Sequence, residues 1–157
     1  MLAYVVENAR QRLRDQLQCA LAADQRALVL AGLAISAAVV LAGGGIAMAQ
    51  QGLTAGIGVP FGLALLLLLG AAGLAIWTAR PTRFFLSGDL PRTWRHDLAK
   101  GASLADVLPE LAADLNDRIE KNETLLAGNG RLLLGGLCLA LGAAALAVAA
   151  GVAVVVA

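Results

Sequence analysis

The sequence predicts an all-α integral membrane protein with three transmembrane helices and a pair of cytoplasmic helices. Three observations carry this. Apolar residues make up 59% of the 157 and gather in long blocks, while charged residues are 15% where a soluble domain has about a quarter. Three of those blocks hold no charge at all: Ala27 to Ala49, about 55–79, and 132–157. All 12 Lys and Arg and all 11 Asp and Glu lie outside them. A helix rises about 1.5 Å per residue, so roughly 20 residues cross the hydrocarbon. Backbone groups in lipid must bond within their own segment, which makes each block a helix.

Residues 1–26 predict an amphipathic helix on the cytoplasmic side. Val6, Ala9, Leu13, Leu17, Ala20 and Leu21 recur at three and four with Arg and Gln between them. No Gly or Pro stands before the first span, so the helix is expected to run into it as one rod of about 45 residues, roughly 70 Å. The stripe fits packing against the second cytoplasmic helix; a self-association surface is the sharper alternative. Residues 27–79 form a transmembrane hairpin with spans at about 27–49 and 55–79, joined by the uncharged Gln50 to Thr54. Ala47-Met48-Ala49 has the small residues of a signal-peptide cleavage site. The 26 residues before the block carry both signs of charge and are long for an n-region, so a retained helix is expected.

Residues 80–131 form the second cytoplasmic part. Pro81, Gly88, Pro91 and Gly101 make 80–102 irregular. There Phe84, Phe85 and Trp94 interleave with Arg83, Arg92 and Arg95, a composition for interfacial anchoring that would also suit a nucleotide by stacking and phosphate contact. A helix is expected over 103–127. Ser103 and Asp106 resemble a capping box, and Pro109 belongs in the first turn. Leu111, Leu115, Ile119, Asn122 and Leu126 form its stripe, with Asp114, Asp117, Arg118, Glu120 and Lys121 on the other faces. Gly128-Asn129-Gly130 either stops this helix or kinks a continuous one. Residues 132–157 are the third span.

The distribution of charge predicts orientation. Arg10, Arg12, Arg14 and Arg26 precede the first span, and the other eight bases lie in 80–131. The positive-inside rule then puts the N-terminus and the middle segment in the cytoplasm, and the short loop and C-terminus outside. Cys19 falls in a reducing compartment and Cys138 within the third span, so no disulfide is expected.

The candidate functional residues are those that hold helices together. The third span carries Gly135, Gly142 and Ala149 at seven-residue spacing, beside Gly136, Ala143 and Ala150. The second series extends back through Asn129 and Asn122. Small and polar residues replace the missing hydrophobic drive in lipid, and a seven-residue repeat keeps a seam on one side. This predicts a helix–helix or oligomer interface, with Gly32 and Ser36, and Gly58 and Gly62, as lesser small pairs. Asp24, Arg26 and Trp94 are membrane-border candidates. No ionisable residue lies well inside a span, which argues against a pump or secondary transporter. No P-loop, CxxC pair or Gly-x-Ser-x-Gly is present, and His96-Asp97 has no nucleophile nearby. One His and two Cys leave little for a metal, and a net charge of +1 does not point to nucleic acid. The expectation is a non-enzymatic protein without cofactor, whose partners are the bilayer and its own copies or other membrane subunits.

Four features are similar to a known family. A cytoplasmic helix leads to Asp24-Gln25-Arg26-Ala27, two closely spaced spans follow, the middle segment includes Trp94-Arg95-His96-Asp97-Leu98, and Arg118-Ile119-Glu120-Lys121-Asn122 precedes the last apolar helix. This layout resembles the small bacterial transmembrane effectors of nucleotide-signalled anti-phage defence found in Pycsar systems, with Arg26 where that family has Lys. The resemblance implies an oligomer of the bacterial inner membrane, N-terminus cytoplasmic and C-terminus periplasmic, that impairs the membrane when a cyclic nucleotide appears. It transfers no nucleotide-binding residue. The alternatives are a structural accessory or assembly subunit of a larger membrane complex, and a holin-like phage protein.

Overall fold

The computed structural model describes residues 1–50, 52, 58–86, 99–101 and 103–156. Three helices dominate them: α1 over Leu2–Gln50, α2 over Gly58–Thr78 and α3 over Leu104–Val156. Each contains a stretch long and apolar enough to cross a membrane. No strand occurs among the described residues.

α1 passes from its charged part into its apolar part without a break. α3 does the same across Gly128-Asn129-Gly130. Neither glycine there has a positive φ, so both stay in the right-handed helix. A break at this point would leave carbonyls unbonded at the edge of an apolar span, which costs more than the roughly 1 kcal/mol of a helical glycine.

Pro109 lies deeper than the sequence suggests. Ser103 caps α3, and the helix begins at Leu104, so Pro109 stands in the second turn, not the first. It withholds the N–H that would bond the carbonyl of Ala105. The cap itself is an Asp version of the capping box. The Ser103 N–H and hydroxyl both donate to Asp106 Oδ2, at 3.1 and 2.5 Å. The Ser103 carbonyl accepts from the N–H groups of Asp106 and Val107, at 3.1 and 3.3 Å. The bond from the Ser103 hydroxyl, then that from its N–H, holds the Asp106 carboxyl below its ordinary pKa.

The chain divides into two compact units. One comprises Met1–Ala22 and Pro81–Gly128, and holds all the charged residues except Asp24, Arg26, Arg80 and Arg131. Its core is Val6, Leu13, Leu115 and Ile119, flanked by Ala9, Leu108, Leu111 and Ala112. Large apolar groups face each other here, as in any protein interior in water.

The other unit comprises Ala23–Arg80 and Asn129–Ala157, and it is built the opposite way round. Its buried cluster is Ala34, Ala38, Ala64, Leu68, Ala71, Ala72 and Ala143. Its exposed residues include Leu33, Val40, Leu66, Leu141 and Val148, with Leu141 70% exposed. Small side chains inside and large ones outside is the arrangement of helices whose solvent is lipid. The hydroxyls follow the same rule. Thr78 donates to the Leu74 carbonyl at 2.9 Å and Ser36 to the Gly32 carbonyl at 2.8 Å, each within its own helix.

At Gly136 the third helix approaches the backbone of the second. A Cβ there would lie 3.3 Å from the Ala71 carbonyl oxygen, 3.5 Å from Leu30 Cδ2 and 3.7 Å from Leu74 Cβ. Gly136→Leu is expected to force α3 off α2 at a cost of about 1–3 kcal/mol, read as a lower thermal midpoint in mild detergent. Gly73→Leu, with nothing within 4 Å of its added Cβ, should leave the midpoint unchanged. Equal midpoints for the two variants would contradict this packing.

Candidate functional site

In the charged unit the sequence-selected Asn122 is 0% exposed. It lies seven residues after Leu115 on the inward side of α3. A buried amide must find partners for both its oxygen and its NH2. Asn122 Oδ1 accepts from the Phe85 N–H at 3.0 Å, and Nδ2 donates to the Phe85 carbonyl at 2.9 Å. The side chain thus satisfies both backbone groups of Phe85. Nδ2 also donates to Gln16 Oε1 at 3.3 Å, while Gln16 Nε2 donates to the Ile119 carbonyl at 3.2 Å. The two amides tie α1, α3 and the segment around Phe85 into one knot.

Charged side chains surround this knot. Arg118 donates to the Leu86 carbonyl at 3.1 Å and pairs with Asp114 at 2.7 Å. Lys121 pairs with Asp117 at 2.5 Å, and its ammonium stands 5.5 Å from the centre of the Phe85 ring. Arg12 reaches Glu123 at 2.7 Å. The exposed pairs each contribute about 0–1 kcal/mol. The buried amides weigh more, because losing one strands its partners away from water. This cluster of amides and ion pairs contains no nucleophile poised beside a base. Its chemistry is that of a clamp on a peptide backbone.

In the apolar unit, Gly136, Ala143 and Ala150 turn inward, with Ala143 only 1% exposed. Gly135 and Gly142 border them, their would-be Cβ atoms 3.5 Å from Leu74 Cδ1 and 3.8 Å from Leu67 Cδ1. Asn129 is half-buried and Ala149 exposed. The seam therefore meets α2 of the same chain. Gly32, Gly43, Gly44, Gly62 and Gly73 have open space where a Cβ would be.

At the membrane border, Asp24 is half-buried and Arg26 exposed. Neither makes an ion pair or side-chain hydrogen bond among the described residues. Trp94, Arg92, Arg95, Asp89, His96 and Asp97 lie outside the described residues, as does the Trp94–Leu98 motif. Sequence reasoning missed Arg80, whose guanidinium stacks 4.3 Å from the Trp77 ring centre. The signal for it was present: a Trp closing an apolar block with an Arg three residues on. It also missed Gln16, three residues after Leu13 on the predicted stripe. Among the described residues no three His, Cys, Asp or Glu side chains converge as a metal site.

No family model, curated protein or solved structure matches this chain.

Asn122→Leu should release the Phe85 segment by leaving the Phe85 N–H and carbonyl and the Gln16 amide without partners. A loss of about 1–3 kcal/mol corresponds to amide exchange at Phe85 faster by roughly 10- to 100-fold. Unaltered exchange at Phe85 would mean that the clamp does not hold this segment.

Proposed function

We propose that this chain is a small multi-pass protein of the bacterial inner membrane that self-associates and impairs the bilayer, as an effector of nucleotide-signalled anti-phage defence. The observation that carries the reading is the open small face of α1. Gly32, Ser36 and Gly43 share one side of the helix at four- and seven-residue steps, opposite the buried Ala34 and Ala38. Among the described residues, none occupies the space beside Gly32 or Gly43. The seam of α3 is spent against α2, so this second face remains for another copy. Backbones can approach closely there, which is how helices associate in lipid. The concentration of bases in the charged unit supports a cytoplasmic position for it, where a cyclic nucleotide would reach it. The resemblance in layout to Pycsar effectors supports the output.

In induced cells a potential-sensitive dye should report depolarisation of the membrane, stronger when a nucleotide cyclase is co-expressed. Gly32→Leu should fold normally, lose cross-linked oligomers in detergent and lose depolarisation. Growth-neutral expression, with the protein purifying in fixed ratio with other subunits, would replace this reading by that of an accessory subunit, whose helices would cover the same open face.

For orientation, alkaline phosphatase fused after residue 157 should be active and the same enzyme fused before Met1 inactive. The reverse pattern would refute a cytoplasmic charged unit.

A further inference from the structure

The only basic residues of the apolar unit are Arg26 on α1, Arg131 on α3 and Arg80 two residues after the end of α2. The contact at Gly136 sets their depth. Gly136 meets Leu30 of α1 and both Ala71 and Leu74 of α2, the last two about 4.5 Å apart along their helix. Toward the end where α1 and α3 enter the unit and α2 leaves it, Arg26 is about 6 Å from Leu30 and Arg131 about 8 Å from Gly136, while α2 ends about 6 Å beyond Leu74 at Thr78, two residues before Arg80. The three guanidinium-bearing positions therefore form a collar at the same end of the unit. All three residues are exposed. Arg26 and Arg131 make no ion pair among the described residues. Arg80 holds its guanidinium 4.3 Å from the centre of the Trp77 ring.

Each of these arginines also has a large exposed apolar residue three positions further into the span. Arg26 has Val29, Arg80 has Trp77 and Arg131 has Leu134, between 56% and 62% exposed. Residues three apart on a helix share a face. The same juxtaposition, a phosphate-binding fork above an apolar surface, thus occurs on α1 and α3, and at the end of α2 the Arg80–Trp77 contact supplies it. Asp24 is the one acidic group of the unit, so the collar carries an excess of positive charge.

We propose that the collar of Arg26, Arg80 and Arg131 is a binding site for anionic phospholipids. The guanidinium forks take the headgroup phosphates, as their geometry suits. Val29, Trp77 and Leu134 receive the upper acyl chains. A zwitterionic lipid would bring its own ammonium among the arginines, and free phosphate would leave the apolar surfaces unused. The inference rests on the helices lying in a bilayer, not on the effector reading.

The test uses the full chain in a neutral maltoside detergent with fluorescently labelled phosphatidylglycerol and, separately, labelled phosphatidylcholine. Each arginine near an anionic surface contributes about fivefold in affinity. Each single Arg→Gln variant should weaken phosphatidylglycerol binding about fivefold, and the triple variant by roughly a hundredfold. Phosphatidylcholine binding should not change. The triple Arg→Lys variant, which keeps the charge, should retain selectivity for the anionic lipid. Circular dichroism checks that the helices persist, and the single variants carry the test if the triple one does not fold. Unaltered phosphatidylglycerol affinity in the single or triple Gln variants would overturn the site. Displacement of the labelled lipid by inorganic phosphate as readily as by unlabelled phosphatidylglycerol would overturn its assignment to lipid.

Discussion

The absence of a side chain at Gly136 lets α3 lie against the backbone of α2. Lipid tails are as apolar as leucine, so burying leucine between spans gains little. What remains is van der Waals contact, which needs short distances. A Cβ at Gly136 would stand 3.3 Å from the Ala71 carbonyl, already a tight fit, and anything longer would part the helices. The rest of the apolar unit follows from this closeness. Alanines occupy most of the neighbouring inward positions, with Leu68 the one leucine of the buried cluster, and most leucines and valines point outward, where there is room.

Inward positions recur every seven residues on both long helices. On α3 they are Leu115, Asn122, Asn129, Gly136, Ala143 and Ala150; on α1 they are Val6, Leu13, Ala20, Ala27, Ala34 and Leu41, each buried or half-buried. The spacing is constant while the residue types change. In the charged unit the inward places take Leu13 and Leu115, which earn their place by leaving water. In the apolar unit they take Ala34 and Ala143. Asn122 belongs to neither kind. A buried amide gives less stability than a leucine would in water, but its partners must meet it at one register. Its pairing with Phe85 fixes where the backbone of that segment lies.

Much of this was legible from sequence. The three apolar blocks could be read because length and absence of charge are enough to make a helix in lipid. The capping box at Ser103 could be read because cap and partner stand three residues apart. The seam through Gly136 and Ala143 could be read from its spacing. The break or continuity at Gly128–Gly130 could not, since two glycines weaken a helix without ending it. Proline favours the first turn of a helix, yet Pro109 stands in the second, because Ser103 and Asp106 set the start of α3. The pairing of Asn122 with Phe85 left no trace in the sequence. Its partners are 37 residues apart, and an amide bonding to backbone imposes no residue type at the other end.

The inverted apolar unit also predicts its own pattern of tolerated change. In a soluble domain the largest buried residues are the hardest to replace, because removing them opens cavities. Here the outward leucines and valines touch lipid, and one can stand in for another. The inward glycines and alanines have almost nothing to lose and no room to gain. Variation accumulating in this chain should therefore spare its smallest residues and run freely through its largest, the reverse of the usual rule.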